Sequence, residues 1–463
     1  MNPLFLFRFS LFLGAMIFGP ALSAQTTAKD YYNQGVFKAN HSDLDGALTD
    51  FNQAIKLNPR FAGAFDGRGI VESLKGEQNS AISDFDNAIS LDPIDAEAYT
   101  YRGAAKADIG NVNGAIKDFD IAILLSPSGA QAYGHRGAAK LNMGNVDGAI
   151  EDLDKAILLN PKFSAAYSVR GSAKREKGNF DGAIADYSKA IELDPKYADA
   201  YYGRGSVMYA KSDFGNAIAD YDKAIELNTK YADAYYGRGS VMYAKSNFGN
   251  AIADYDKAIG LNPNDTNAYY GRGLANYSEG NFDGAVADYS RSIDLNPKFR
   301  NAYYNRGLCR EVKGDFEEAA IDYEKATALF ENKNAPDYSC FHHFLAICRL
   351  RPNDSTSRTA PIVQNELTHI VAGWENGWPK TIGLYLADKL TEADFLAQAG
   401  QGDAKTIQEH QCEAYYYVGM VYLLANKHAL ARKYLKNCID KNMATIDEFQ
   451  LARAELARLS STN

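Results

Sequence analysis

The sequence predicts an all-α protein: an α-solenoid of about nine tandem helical hairpins of 34 residues, followed by a divergent helical module. Glycine recurs every 34 residues, and an alanine stands twelve residues after each of these glycines. An aromatic residue or leucine stands four residues beyond each alanine. A period of this length indicates helical hairpins that bury their apolar faces only by stacking. The periodic glycines are Gly35, Gly69, Gly103, Gly137, Gly171, Gly205, Gly239, Gly273 and Gly307.

Composition and the missing motifs exclude several classes of function. The chain has 463 residues, of which 46% are hydrophobic and 23% charged, with a formal net charge of −9. It has no concentrated run of Lys and Arg, so we do not expect nucleic acid as a partner. The P-loop, G-x-S-x-G, HExxH and Rossmann motifs are missing from the sequence. We therefore expect neither an enzyme nor a cofactor.

Residues 1–24 have the layout of a secretory signal peptide. Arg8 precedes an apolar run from Phe9 to Phe18, and Pro20 and Ala24 stand before the expected cleavage site. An uncleaved anchor is the alternative, although the run is short for a membrane span. We expect an exported protein in the periplasm or another extracytoplasmic compartment, without stable membrane insertion after cleavage.

Residues 28–332 resemble the tetratricopeptide repeat (TPR) family. Its pattern is W-x2-L-G-x2-Y, then A-x3-F, then P, and here Tyr or Phe takes the place of Trp. The resemblance implies a groove lined by the first helix of each repeat, which binds protein or peptide partners. With the periodic glycine numbered as place eight, the places that face the groove include five, nine and twelve.

Tyrosine occupies places five and twelve in repeats six to eight, and repeats six and seven are nearly identical in sequence. These places lie seven residues apart, about two helical turns, and therefore share one helix face. Tyrosine suits protein interfaces because it combines a large contact area with a polar end. The alternative is that the place-five tyrosines pack between neighbouring helices. Tyr304, at place five of repeat nine, continues the row. The candidate binding residues are Tyr202, Tyr209, Tyr236, Tyr243, Tyr270, Tyr277 and Tyr304.

An arginine at place seven in eight repeats and an aspartate at place 23 in all nine predict recurring ion pairs. Pairing within a repeat and pairing with the next repeat both fit antiparallel helices. Repeat one has Gln34 instead of arginine but keeps Asp50. We therefore predict that each aspartate pairs with the arginine of the next repeat. The predicted pairs are Asp186 with Arg204, Asp220 with Arg238, Asp254 with Arg272, and Asp288 with Arg306.

The last third of the chain leaves the 34-residue register. Residues 333–403 are predicted as a divergent helical segment that holds both tryptophans, Trp374 and Trp378. Residues 404–463 are predicted as a TPR-like unit with a closing helix, because Tyr415, Gly419, Tyr422, Ala431 and Leu435 fit the repeat pattern.

The five cysteines all lie in this last third. Cys412 and Cys438 would stand near the start of one helix and the end of its antiparallel partner. We therefore hypothesise a disulfide between them. Along "CFHHFLAIC", the adjacent His342 and His343 point about 100° apart on a helix. This arrangement favours packed or exposed side chains over a metal site.

The tail from Trp374 to Leu459 resembles NlpI-type TPR proteins of the Gram-negative envelope. The shared features are "WP" before "IGLYL", then "EAYYYVGMVYLLANKHALARKYLKNCI", then a closing helix. This resemblance implies an adaptor that gathers peptidoglycan hydrolases or proteases. Two alternatives remain open: direct binding or hydrolysis of a cell-wall polymer, and a self-associating structural protein.

Overall fold

The computed structural model describes residues 26–331, 335–350, 361–443 and 446–461. The predicted signal peptide, residues 1–24, lies outside them. Within the described residues the chain forms α-helices and no strand. The predicted all-α fold is therefore confirmed.

Two helices form each of the nine repeats. In chain order they are α1 (Ala28–Asn40), α2 (Leu44–Leu57), α3 (Ala62–Lys75), α4 (Gln78–Leu91), α5 (Ala96–Asp108), α6 (Val112–Leu125), α7 (Ala130–Asn142), α8 (Val146–Leu159), α9 (Ser164–Glu176), α10 (Phe180–Leu193), α11 (Ala198–Ala210), α12 (Phe214–Leu227), α13 (Ala232–Ala244), α14 (Phe248–Leu261), α15 (Thr266–Ser278), α16 (Phe282–Leu295), α17 (Arg300–Lys313) and α18 (Phe316–Ala328).

The turn inside each hairpin has one left-handed residue, and in most repeats a side chain caps the second helix. In repeat five, Gly178 has φ of 74°, a conformation that glycine adopts without a steric penalty. The side chain of Asn179 then caps α10 by accepting a hydrogen bond from the backbone N–H of Gly182. Ser212 and Ser246 take the left-handed position in repeats six and seven. These left-handed residues end the first helix of the hairpin and allow the chain to reverse direction.

The periodic glycine lets the two helices of a hairpin approach closely. A Cβ atom on Gly307 would lie 2.7 Å from Cε1 of Tyr323, closer than side chains pack. Because the glycine has no Cβ, the aromatic ring of the second helix fits against the first helix. The corresponding large side chains are buried in all nine repeats: Phe51, Phe85, Phe119, Leu153, Tyr187, Tyr221, Tyr255, Tyr289 and Tyr323.

Seven further helices follow the repeats. They are α19 (Ser339–Leu350), α20 (Pro361–Ala372), α21 (Trp378–Leu386), α22 (Glu392–Ala399), α23 (Ala404–Leu424), α24 (His428–Ile439) and α25 (Asp447–Ser461). They share one apolar core with the last repeat, which includes Tyr323, Phe341, Trp374 and Tyr417. In the α23–α24 hairpin, a Cβ on Gly419 would lie 2.8 Å from Cγ of Leu435. The predicted TPR-like unit therefore has the repeat geometry.

Compactness divides the chain into two units, Met1–Gly237 and Arg238–Asn463, with the boundary inside α13. The boundaries expected from the sequence, after residues 24, 332 and 403, follow the repeat register and stay predictions. None of the helices in the described residues combines the length and apolarity needed to cross a lipid bilayer.

Candidate functional site

The place-seven arginines bind the aspartate of their own repeat. In repeat six, Nε and Nη2 of Arg204 donate to the two carboxylate oxygens of Asp220, at 2.8 and 2.7 Å. Asp220 is buried, and its hydrogen bond raises the pKa of Arg204. The other same-repeat pairs are Arg68–Asp84, Arg102–Asp118, Arg136–Asp152, Arg170–Asp186, Arg238–Asp254, Arg272–Asp288 and Arg306–Asp322.

The predicted pairing of each aspartate with the next arginine is therefore wrong. It is wrong for Asp186 with Arg204, Asp220 with Arg238, Asp254 with Arg272, and Asp288 with Arg306. Places 7 and 23 lie about equally far from the turn of one hairpin, so they face each other across it. The argument from repeat one fails because Lys38 pairs with Asp50 at 2.7 Å. Asp50 therefore has a cation without any arginine.

A link between repeats exists, but a different residue provides it. Nη1 of Arg204 donates to the hydroxyl of Ser188 in repeat five at 3.0 Å. Six other arginines make the equivalent contact with the residue at place 25 of the preceding repeat. The pairs are Arg68–Asn52, Arg102–Asp86, Arg136–Asp120, Arg170–Asp154, Arg272–Asp256 and Arg306–Ser290. One guanidinium therefore closes its own hairpin and also contacts the hairpin before it. We call this set of contacts the arginine ladder.

In the first unit, the first helices of repeats one to six contact one another in sequence, from α1 to α11. They form one wall, and Tyr202, Tyr209 and Tyr236 stand on its helices or on the next first helix. Tyr209 is 37% exposed. Tyr202 is half-buried, with its ring centroid 5.2 Å from that of Tyr231, and burial raises its pKa. In repeat six, Tyr209 therefore presents more surface than Tyr202, part of whose ring packs against its neighbours.

In the second unit, Tyr243, Tyr270, Tyr277 and Tyr304 are all half-buried. The ring centroid of Tyr270 lies 4.8 Å from that of Phe299. The hydroxyl of Tyr304 donates to Asp447, the first residue of α25, at 3.1 Å. At repeat nine the groove face is therefore covered by the chain's own last helix. The binding role of the seven tyrosines stays a prediction.

Sequence reasoning missed an acidic position on the wall of the first unit. Asp66 occupies place five of repeat two, where burial, followed by repulsion from Asp95, raises its pKa to about 8. Glu97 adds a further negative charge nearby. The groove-place numbering could have identified Asp66, because place five holds an uncharged residue in the other repeats.

Cys412 and Cys438 are brought together as the hypothesis requires. Both side chains are buried, and their sulfur atoms lie 3.1 Å apart. A disulfide bond is about 2.05 Å long, so the two thiols are in contact but not bonded. The disulfide in the exported protein stays a prediction.

The core of the C-terminal module holds buried ionisable groups whose proximity was not predicted from the sequence. His342 is fully buried, with Nδ1 3.4 Å from Oε2 of Glu311 and Nε2 3.9 Å from Oε1 of Glu448. Although burial opposes its charge, these carboxylates raise the pKa of His342. Glu311 also accepts hydrogen bonds from the hydroxyls of Tyr323 and Tyr416, at 2.7 and 3.2 Å. The one available signal was Glu311 at place twelve, where the three preceding repeats have tyrosine.

Trp378 connects this core to a further carboxylate. Its indole N–H donates to Oε2 of Glu413 at 2.5 Å. Burial, together with repulsion from Glu448, raises the pKa of Glu413 to about 8. Within the described residues, no group of three or more His, Cys, Asp or Glu side chains is arranged to hold a metal ion.

Family models identify the repeats. A model described as TPR repeat matches residues 171–212 and 205–246. Models described as tetratricopeptide repeat match residues 236–298, 270–338, 130–163 and 413–442. Together these matches cover half of the chain, including the TPR-like unit near its end.

Solved structures of repeat proteins resemble parts of the chain. MamA is 36% identical, with 35% of this chain and 95% of MamA aligned at a TM-score of 0.33. YrrB, described as a TPR protein with an unusual peptide-binding site, is 27% identical over 44% of this chain and 99% of YrrB, with a TM-score of 0.35. A tetratricopeptide repeat protein from Parabacteroides merdae is 20% identical over 54% of this chain and 98% of its own, with a TM-score of 0.44.

No curated protein sequence matches the chain significantly. The family matches nevertheless agree with the hairpin geometry, the periodic glycine and the buried ring of each repeat. This chain belongs to the tetratricopeptide repeat family.

Proposed function

We propose that the chain is an exported, non-enzymatic adaptor that binds protein or peptide partners through its first helices. The observation that carries this proposal is the tyrosine pattern of the near-identical repeats six and seven. Place twelve of repeat six, Tyr209, is 37% exposed although it is a large aromatic residue. Half-exposed tyrosines lose little rotamer entropy on binding and provide both apolar area and a hydroxyl.

The first unit is the better candidate surface. Tyr304 in the second unit donates its hydroxyl to Asp447, and Tyr277 packs against the core that α19–α25 share. These side chains already have partners within the chain. We expect a partner to contact Tyr209 first, because it is 37% exposed. The half-buried Tyr202 and Tyr236 stand on the same wall and would contribute the part of each ring that its neighbours leave accessible.

We also propose that the partners are envelope proteins such as peptidoglycan hydrolases or proteases. Support comes from the signal-like residues 1–24 and from the resemblance of the tail to NlpI-type proteins. Cell fractionation and N-terminal sequencing test the export step. We expect a mature chain that begins at Gln25, and a full-length chain in the cytoplasmic fraction would contradict export.

The binding surface is tested by cross-linking in the native envelope, followed by mass spectrometry. We expect the double variant Y202A/Y236A to lose cross-linked partners that the wild type captures, and Y202F/Y236F to keep most of them because the rings remain. Phe37→Ala, which removes an exposed aromatic side chain from repeat one, is the matched control. Equal thermal unfolding of the variants would exclude misfolding as the cause. An unchanged partner set in the double alanine variant would contradict the proposed surface.

Direct binding of a cell-wall polymer is supported less well. A cavity of about 370 Å³ beside Trp378 is lined by the amides of Asn376, Gln398 and Gln401. The indole, however, already stacks on His410 and Phe395, with ring centroids 4.4 and 5.3 Å away. These two rings leave little of the indole available to stack on a sugar.

A further inference from the structure

A second cavity, of about 410 Å³, lies in the C-terminal unit where α17, α23 and α25 meet. Tyr304 of repeat nine stands at one side of it. We call it the carboxylate cavity, because three carboxylates and three aromatic rings line it. These residues are Glu413, Asp447, Glu448, Tyr304, Phe330 and Tyr338.

Each of the three carboxylates uses only one of its oxygens in a hydrogen bond. Oε2 of Glu413 accepts from Trp378 and Tyr338, and Oδ2 of Asp447 accepts from a tyrosine hydroxyl. Oε1 of Glu448 accepts from another tyrosine at 2.9 Å. The second oxygens have no hydrogen-bond donor in the described part of the chain. Although Glu448 is only 3% exposed, none of these second oxygens is fully buried, so each is open to the cavity.

The imidazole of His342, 3.9 Å from Oε1 of Glu448, balances part of this charge, but within the described residues neither Glu413 nor Asp447 forms a salt bridge. Arg300 is the one cationic side chain among those that line it, and its guanidinium is paired with the buried carboxylate of Asp337 and lies over Phe330 at 4.8 Å. The N-terminus of α25 offsets part of the charge on Asp447 and Glu448. Glu413, in the middle of α23, has no such compensation.

We propose that the carboxylate cavity binds a primary alkylammonium group, presented by a lysine side chain of a partner. An ammonium carries three N–H donors, one for each carboxylate oxygen that lacks a donor. The rings of Tyr304, Phe330 and Tyr338 favour the same charge, because aromatic faces attract cations. This inference rests on the proposed function, because it names the chemistry of one contact with a bound peptide.

The test is a calorimetric titration of the full chain with small probes. The probes are Nα-acetyl-lysine N-methylamide, the norleucine analogue, which lacks the ammonium, and 1,5-diaminopentane. We expect the lysine probe to bind at least about tenfold more tightly than the norleucine probe, since hydrogen bonds to charged groups are the stronger kind. Equal affinity for these two probes would overturn the proposal. If diaminopentane binds more tightly than the lysine probe, the cavity binds free amines, and the proposal that a partner's lysine provides the ammonium is overturned.

Two variants on one helix locate the bound probe. Glu413→Gln keeps an oxygen acceptor for Trp378 but cannot ionise beside a bound cation, and it should weaken lysine-probe binding by about tenfold. Glu409→Gln removes a charge one turn earlier on the same helix, outside the cavity lining, and should change the affinity much less than Glu413→Gln does. Equal loss in both variants, or in neither, would overturn the proposed site. If Glu413→Gln fails to fold, Asp447→Asn serves in its place.

Proton release gives an independent readout. Burial, then repulsion from Glu448 and Glu409, raises the pKa of Glu413 to about 8, whereas hydrogen bonds from Trp378 and Tyr338 oppose the shift. A cation in the cavity would lower this pKa, so binding at pH 7 should release protons. Calorimetry in buffers of different ionisation enthalpy measures that release, and its absence would contradict entry of a cation beside Glu413. Partner capture through Tyr202 and Tyr236 is measured separately, so either proposal can fail alone.

Discussion

The arginine ladder of the repeats and the core of the C-terminal module both bury carboxylates, but they neutralise them differently. In the ladder, Asp220 receives two hydrogen bonds from one guanidinium, and the arrangement recurs in each repeat that has the arginine. In the C-terminal core, Glu311 and Glu448 share a single imidazole, that of His342, and otherwise accept from tyrosines. The ladder pairs its aspartates with permanent cations. In the core, Glu455 is likewise paired with Arg349 and Arg458, whereas the cation beside Glu311 and Glu448 is an imidazole, which titrates.

This difference separates two uses of buried charge. A repeated ion pair with a permanently charged arginine fixes geometry without responding to pH. A carboxylate without a cation has a raised pKa and can therefore respond to both protons and cations. We expect the repeats to act as the rigid part and the C-terminal core as the responsive part.

Removal of His342 should give the largest effect. His342→Leu leaves Glu311 and Glu448 buried without their shared cation, and we expect a loss of about 3–5 kcal/mol in the free energy of unfolding. Trp374 and Trp378, the only tryptophans, both lie in this module, so tryptophan fluorescence during urea unfolding reports on it directly. A loss below about 1 kcal/mol would mean that the imidazole carries little of the charge balance.

The next test compares two arginine–aspartate pairs of the ladder. Arg204→Met leaves Asp220 without a cation, whereas after Arg102→Met, Asp118 keeps Lys106 at 2.8 Å. We expect a cost of about 3 kcal/mol for the first variant and clearly less for the second, because a buried charge that loses its partner is the expensive case. Circular dichroism during chemical unfolding measures both. Equal costs would contradict the assignment of Lys106 as a second partner.

The third prediction is the disulfide between Cys412 and Cys438 in the C-terminal module. With its sulfurs already 3.1 Å apart, the Cys412–Cys438 pair should oxidise in the exported protein and add about 2–4 kcal/mol of stability. Thiol alkylation after unfolding without reductant should label three cysteines in the wild type and four in the Cys412→Ser variant. Five labelled thiols in the exported wild type would dismiss the disulfide.

The smallest predicted effect is a dependence on pH. The folded-state pKa of Glu413 is about 8 and that of Asp447 about 6, above their ordinary values of 4.5 and 3.8. The folded state therefore binds these protons more tightly, so their stabilising effect is present at low pH and is lost as pH rises towards 8. His342, whose pKa is also raised, acts in the same direction.

Between pH 6 and 8, we expect the stability of the module to fall by at most about 1.4 kcal/mol per pH unit for each titrating group. The dependence should flatten in Glu413→Gln. Thermal unfolding followed by tryptophan fluorescence measures both proteins across this range. If the stability of the module instead rises with pH over this range, the raised pKa values are contradicted.

The fold could be predicted from the sequence because the same packing pattern occurs in each of the nine repeats. The glycine, the alanine and the large side chain fit together in one way, with the ring of the second helix packed against the glycine of the first, as Tyr323 packs against Gly307. The ion-pair partners could not be predicted, because both pairings fit the spacing. The residues that decide the matter, such as Lys38 and Ser188, vary between repeats. The carboxylate cavity has no sequence pattern, since Glu413 and Glu448 are brought together only by folding.

The contact between Arg204 and Ser188 has a consequence for how such an array changes length. Each arginine needs only a small polar or acidic acceptor at place 25 of the hairpin before it, and Ser, Asp and Asn all serve. A duplication or deletion of 34 residues would therefore rejoin compatible surfaces without a new interface. The near-identity of repeats six and seven is the pattern that such a duplication leaves, and the number of repeats is then a property that evolution can adjust in whole steps.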